Sequence, residues 1–60
     1  MTPQQIKENA PEGATHYDIE HDYLRQHENK WSVWDSFNEV WQPIHTPTGE
    51  SIARFKIKPL

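Results

Sequence analysis

The sequence contains no cysteine, only two glycines, and no hydrophobic run that approaches the length of a membrane span. Without cysteine, the chain has neither a disulfide nor a thiolate metal site. A transmembrane helix needs about 20 predominantly apolar residues, and the first residues lack the basic and apolar regions of a signal peptide. We therefore expect a soluble, intracellular protein without a membrane partner.

At 60 residues, the chain is predicted to form a single small domain, residues 1–60. A domain of this size buries only about 60% of the surface of its unfolded chain, so it relies on aromatic packing or on self-association. Residues 1–10 are expected to be a flexible arm or a short helix. Thr2 can cap such a helix with Pro3 at its first position, and Pro11 would end it.

Charge is distributed unevenly along the chain. The nine acidic residues all lie between Glu8 and Glu50, whereas Arg54, Lys56 and Lys58 stand in a C-terminal segment without acids. The net charge is −3, and an acidic body repels phosphate backbones, which disfavours nucleic acid as a partner. The same charge is compatible with a basic patch on a protein partner.

Alternation of polar and apolar side chains predicts short β-strands. The predicted strands cover residues 15–20, 23–27, 30–34, 39–42 and 53–58. The side chains expected to point inward from the first and last strands are Thr15, Tyr17, Ile19, Ala53, Phe55 and Ile57. Pro43 ends the fourth strand or marks it as an edge, because proline lacks the N–H that a ladder needs. The fold class is therefore mostly β: a small antiparallel sheet, a meander of four to five short strands, with at most one short N-terminal helical turn.

An aromatic hairpin spans residues 30–44 and holds all three tryptophans. If residues 35–38 form its loop, Trp34 and Trp41 lie on one face of the sheet as diagonal neighbours. The side chains expected on the opposite face are Trp31, Val33 and Val40.

The face with two tryptophans needs a cover, and three covers remain open: the N-terminal segment, a second copy of the chain, or a binding partner. Large aromatic side chains are enriched among interface hot spots. We therefore expect Trp34 and Trp41 to anchor a partner, with Phe37 at the loop tip. Asp35 and Glu39 would supply a charged rim around these anchors.

Other residue types that suggest chemistry do not form a convergent pattern. The histidines are His16, His21, His27 and His45. On a strand, His16 would share an outward, solvated face with Asp18 and Glu20. Zinc sites need three or four converging ligands, so we expect no metal and no other cofactor. The chain also lacks a cysteine nucleophile, a glycine-rich phosphate loop and a nucleophile elbow around its serines, so we expect no enzymatic activity.

Residues 11–17 read Pro-Glu-Gly-Ala-Thr-His-Tyr, and they are followed by Lys30-Trp31-x-x-Trp34-Asp35 and then by a single Trp41. This combination resembles a recurrent group of small proteins that tailed bacteriophages and prophages encode. The resemblance extends from about Ala10 to Pro43. It implies expression inside an infected bacterium, and hence the host cytoplasm, and it transfers no functional residue.

The leading hypothesis is a non-enzymatic phage or prophage accessory protein that binds a host or phage protein through the aromatic sheet face. The first alternative is a homo-oligomeric structural or assembly protein, in which a homodimer covers the same face. The second alternative is single-stranded nucleic-acid binding, because aromatic side chains on a sheet can stack on bases. Asp35 and Glu39, which flank the hairpin loop, count against that alternative because they repel phosphates.

Overall fold

The computed structural model describes residues 2–60. Met1, which belongs to the predicted domain 1–60 and to its predicted N-terminal arm or helix, lies outside the described residues. The elements in chain order are α1 Pro3–Glu8, β1 His16–Tyr17, β2 Tyr23–His27, β3 Lys30–Asp35, β4 Val40–Ile44, α2 Gly49–Phe55 and β5 Lys58–Pro59. The predicted mostly β class, with its small antiparallel sheet, is confirmed.

All five strands form one antiparallel sheet in the order β4-β3-β2-β1-β5. The first four strands are therefore a meander, as expected, and β5 returns to lie beside β1. A two-residue turn joins β2 to β3, and its residues Glu28 and Asn29 both have positive φ, 51° and 66°. Left-handed conformations at both central positions are typical of the tight turns whose twist matches that of the strands. Pro43 lies in β4, which is an edge strand, and this position confirms the edge interpretation.

The N-terminal segment begins as a short helix because its first residues satisfy the free backbone donors of α1. The Thr2 hydroxyl accepts a hydrogen bond from the Gln5 N–H at 3.2 Å, and Gln5 Oε1 accepts one from the Thr2 N–H at 2.9 Å. Pro3 occupies the first turn, where its missing N–H costs nothing. The Ile6 side chain points inward and is buried. The prediction left this segment open between a flexible arm and a short helix, and the structure shows the short helix.

The predicted fifth strand over residues 53–58 is wrong, because its first three residues belong to α2. The Thr48 hydroxyl accepts a hydrogen bond from the Ser51 N–H at 3.1 Å, and the Thr48 carbonyl accepts one from Ile52 at 2.9 Å. This N-terminal cap starts a helix that continues to Phe55 and is closed by Lys56, which has a left-handed φ of 51°. Of the predicted strand, only Lys58 lies in β5, where it and the adjoining Pro59 pair with β1.

The predicted first strand is shorter than expected, and Ile19 does not point into the core. Asp18 ends the strand, because its Oδ1 accepts hydrogen bonds from the N–H groups of Glu20 at 2.9 Å and Asp22 at 3.0 Å. A carboxylate that bonds nearby backbone N–H groups in this way stabilises a turn at the expense of a ladder. Ile19 lies in that turn and is 54% exposed.

The β3–β4 hairpin has a four-residue loop, but the loop covers residues 36–39 and not residues 35–38. Asp35 pairs with Val40, and Trp34 pairs directly with Trp41. The two tryptophans are therefore opposite each other and not diagonal, which corrects the expected register. The prediction that Trp34 and Trp41 share one face of the sheet is nevertheless confirmed. The register differs from the predicted one by two residues, and because this number is even, every side chain stays on its predicted face.

The register of the sheet defines two faces with different covers. The tryptophan face carries Tyr17, Tyr23, Arg25, Trp34 and Trp41. The groove face carries His16, Leu24, Trp31, Val33, Val40 and Ile44. The expectation that His16 points to solvent is wrong, because its ring packs on Trp31 with the ring centroids 5.0 Å apart. Both faces of the sheet are partly covered. The alternation of polar and apolar residues therefore did not distinguish a buried face from a solvent-exposed face.

The hydrophobic core is small. Within residues 2–60, the buried hydrophobic side chains are Ile6, Leu24 at 4% exposure and Trp31 at 8%, and none of the described side chains is fully enclosed. Neither α1 nor α2, the helices found in this range, combines the length and the apolar character that crossing a bilayer requires.

Candidate functional site

Trp34 and Trp41 form the centre of the tryptophan face. They are cross-strand partners, and their rings meet edge to face with centroids 5.2 Å apart and planes inclined at 63°. This arrangement places the electropositive edge of one ring against the negative face of the other. Both side chains are half-buried. The structure therefore brings the two predicted anchors into direct contact.

The N-terminal segment lies against this pair. The Trp41 indole N–H donates a hydrogen bond to the Glu12 carbonyl at 3.3 Å. Gly13 has a φ of +94°, and a Cβ at that position would lie 3.7 Å from Trp41 Nε1 and 3.5 Å from Arg25 Cδ. Of the three covers left open by the sequence, the structure places the chain's own segment beside Trp41 and leaves both rings partly accessible.

Asp35 organises the turn at the tip of the hairpin. Its Oδ1 accepts hydrogen bonds from the N–H groups of Phe37 at 3.0 Å and Asn38 at 3.2 Å, and its Oδ2 accepts one from Asn38 Nδ2 at 2.8 Å. Hydrogen bonds from the Asn38 side chain, then from its backbone, lower the pKa of the Asp35 carboxyl below its ordinary value of 3.8. Glu39 closes the loop with a left-handed φ of 54°. Asp35 thus braces the turn in addition to carrying the predicted charge.

Phe37 projects from this braced turn and is 92% exposed. The other exposed large hydrophobic side chains are Ile19, Val40, Ile44 and Ile52. Phe37 is far more exposed than any of these, and aromatic side chains, phenylalanine among them, are enriched in the cores of protein–protein interfaces. The five predicted site residues therefore lie in one hairpin, with Phe37 at its tip and the tryptophan pair behind it.

A concave surface lies on the groove face of the sheet, and no sequence pattern predicted it. We call it the α2 groove, a cleft of about 320 Å³ lined by Asp18, Glu20, Asp22, Leu24, Val33, Ile44, His45, Pro47, Ser51, Phe55 and Ile57. Burial, followed by the nearby charges of Asp18 and Glu20, raises the pKa of Asp22 above its ordinary value of 3.8. The groove escaped prediction because one wall belongs to α2, which the alternation pattern assigned to a strand. The cap signal, Thr48 three residues before Ser51, could have located that wall.

The polar residues of the chain offer little for metal binding. Over residues 2–60, no cluster of three or more His, Asp or Glu side chains has an arrangement suited to hold a metal ion. His16 is engaged with the Thr15 hydroxyl at 2.8 Å and with Trp31, and His27 lies 3.7 Å from Glu28. The histidines are therefore distributed over separate parts of the fold.

Comparison with protein-family models, with curated proteins and with solved structures finds no match to this chain. The features of the chain that bear on its function are therefore those of its own geometry. That geometry consists of an exposed aromatic tip on a braced hairpin and an acid-rimmed groove on the opposite face of the sheet.

Proposed function

We propose that this chain is a non-enzymatic accessory protein of a tailed phage or prophage, which binds a host or phage protein through the tip of its β3–β4 hairpin. The single observation that carries the proposal is Phe37, a large aromatic side chain that is 92% exposed on a turn fixed by the Asp35 carboxylate.

The energetics favour such a tip as an anchor. Fully burying an exposed phenylalanine side chain is worth about 1.5 to 3 kcal/mol before ordering costs. Those costs are reduced because the turn is already organised by hydrogen bonds to Asp35. Trp34 and Trp41 lie behind the tip and offer further aromatic surface, and Glu39 provides a charge beside it.

The setting and the partner class come from two further observations. The resemblance at residues 11–17 supports a phage or prophage origin and a place in the cytoplasm of the host bacterium. The net charge of −3 supports a partner that presents a basic surface around an apolar pocket.

Site-specific photo-crosslinking tests this proposal. The photoreactive analogue p-benzoylphenylalanine is placed at position 37 or, as a matched control, at the position of Lys7, which is also exposed and lies outside both the hairpin and the lining of the α2 groove. Each protein is irradiated in nuclease-treated lysate of bacteria that carry the parent phage. We expect one protein to be captured at position 37 only, and excess wild-type chain but not the Phe37→Ser variant to compete with its capture. Capture of the same proteins at both positions, or of none, would refute the proposal.

The small core favours a second candidate, the homo-oligomeric assembly protein. Three buried hydrophobic side chains in residues 2–60 are few for a stable domain, and small folds often gain stability by self-association. Sedimentation velocity at micromolar concentration tests this candidate. A stable dimer or larger assembly would support it, and a monomer across the concentration range would exclude it.

A further inference from the structure

We propose that the α2 groove is a second binding site, which accepts a peptide segment of a partner protein with an apolar side chain next to lysine or arginine. The site goes beyond the proposed hairpin function, because the groove lies on the face of the sheet opposite to Trp34 and Trp41.

The floor of the groove is apolar. Leu24 and Val33 contribute it from the sheet, while Phe55 and Ile57 contribute it from α2 and the residues after it. Ile44 lines the same cleft and is partly exposed. A volume of about 320 Å³ is small for a drug-sized ligand but sufficient for one or two apolar side chains.

The rim of the groove is acidic on one side. Asp18, Glu20 and Asp22 all line it, and lysine and arginine are absent from the lining residues found in residues 2–60. The nearest basic residue of α2, Arg54, is engaged with Glu50 at 3.6 Å on the exposed side of the helix. Lys56 and Lys58 line the neighbouring cleft together with Asp18, whereas Glu20 and Asp22 keep their negative charge beside the apolar floor.

This combination selects the chemistry of the occupant. The rim disfavours phosphates and acidic peptides, since like charges repel across an interface. Burial, and after it the repulsion of Asp18 and Glu20, raises the pKa of Asp22, and an ammonium or guanidinium group beside the three carboxylates would relieve the repulsion. The apolar floor needs an aliphatic or aromatic side chain to displace its water. In a segment that has an apolar residue next to a basic one, the apolar side chain can pack on the floor while the basic side chain contacts the acidic rim.

Selection from a random peptide library tests the proposal. Ribosome-displayed random peptides of about nine residues are selected on the immobilised wild-type chain, and the affinities of synthetic winners are measured by fluorescence anisotropy. We expect winners in which Leu, Ile, Val or Phe adjoins Lys or Arg. We expect Glu20→Gln/Asp22→Asn to weaken their binding about tenfold or more, a loss of one decade in Kd. Ser51→Phe, which fills the groove while keeping the backbone N–H that Thr48 caps, should weaken it similarly.

Two controls separate this site from general effects. Glu12→Gln/Glu28→Gln makes the same change in net charge away from the groove and should leave affinity within about twofold. Phe37→Ser should also leave peptide binding unchanged, so failure of the hairpin proposal does not affect this result. Amide spectra of each variant verify its fold, and a groove variant that fails this check is replaced by Val33→Phe.

Three outcomes would overturn the proposal. The first is a selection without enrichment of basic and apolar neighbours. The second is winners whose affinity is the same for the wild type and for both groove variants. The third is a dimer of the chain that Ser51→Phe dissociates, because the occupant of the groove would then be a second copy.

Discussion

The hydroxyl of Tyr23 in β2 donates a hydrogen bond of 2.8 Å to the carbonyl oxygen of Ile6 in α1, a residue 17 positions earlier in the chain. The Ile6 side chain is one of the buried hydrophobic groups. Polar and apolar contacts therefore converge at the same residue of α1. They attach a helix of only six residues, which would be unstable in isolation, to the tryptophan face of the sheet.

Tyr23→Phe should lower the free energy of unfolding by about 0.5 to 1.5 kcal/mol, because the Ile6 carbonyl loses its hydroxyl donor. Urea denaturation followed by tryptophan fluorescence measures this change. Tyr17→Phe on the same face is the matched control and should have little effect. Equal losses in the two variants would contradict an anchoring role for the Tyr23 hydroxyl.

The edge-to-face contact between Trp34 and Trp41 should appear as coupling in a double-mutant cycle. With leucine at each position separately and together, we expect an interaction free energy of about 0.5 to 1.5 kcal/mol. Thermal unfolding of the four proteins supplies the cycle. Strictly additive effects would mean that the two rings stabilise the sheet independently in spite of their 5.2 Å separation.

Asp35 should make the stability of the hairpin depend on pH in the acid range. Because its pKa is lower in the folded chain than its ordinary value of 3.8, the ionised carboxyl stabilises the fold above that value. The benefit is lost as the pH falls through the lower, folded pKa. Asp35→Asn does not titrate, so the stability advantage of the wild type over this variant should shrink between about pH 6 and about pH 2. A difference that is constant with pH would contradict the assigned role.

The two glycines should respond in opposite directions to alanine. Gly13 has a φ of +94°, so Gly13→Ala should destabilise the chain by about 1 to 2 kcal/mol. Gly49 begins α2 with an ordinary φ and has open space where a Cβ would lie. Gly49→Ala should therefore stabilise the chain by about 0.4 to 1 kcal/mol. Calorimetric melting temperatures compare both variants with the wild type.

Local sequence signals predicted the parts of the fold whose interactions are local. Thr2 and Pro3 indicated a short helix as one of two alternatives, the polar pair Glu28 and Asn29 indicated a tight turn, and Pro43 indicated either the end of a strand or an edge strand. The tryptophan spacing also indicated that Trp34 and Trp41 share a face. In each case, a residue and its near neighbours suffice to determine the conformation.

The C-terminal region was mispredicted because two periodicities coincide there. Ile52 and Phe55 fit a helical spacing of three, while Phe55 and Ile57 fit a strand spacing of two. Thr48 decides between them by capping α2 at Ser51, a local signal that the alternation obscured. The α2 groove then could not be predicted, because it exists only where this helix and the sheet face each other.

The order of strands in the sheet also bears on how quickly the protein acquires its structure. The meander from β1 to β4 joins segments that are adjacent in the chain, and only the pairing of β5 with β1 closes a long loop. Short loops cost little entropy to close, and chains dominated by local contacts fold rapidly. The hairpins between Tyr23 and Ile44 can thus form early, and the docking of β5 on β1 is the step that waits for the longer loop to close.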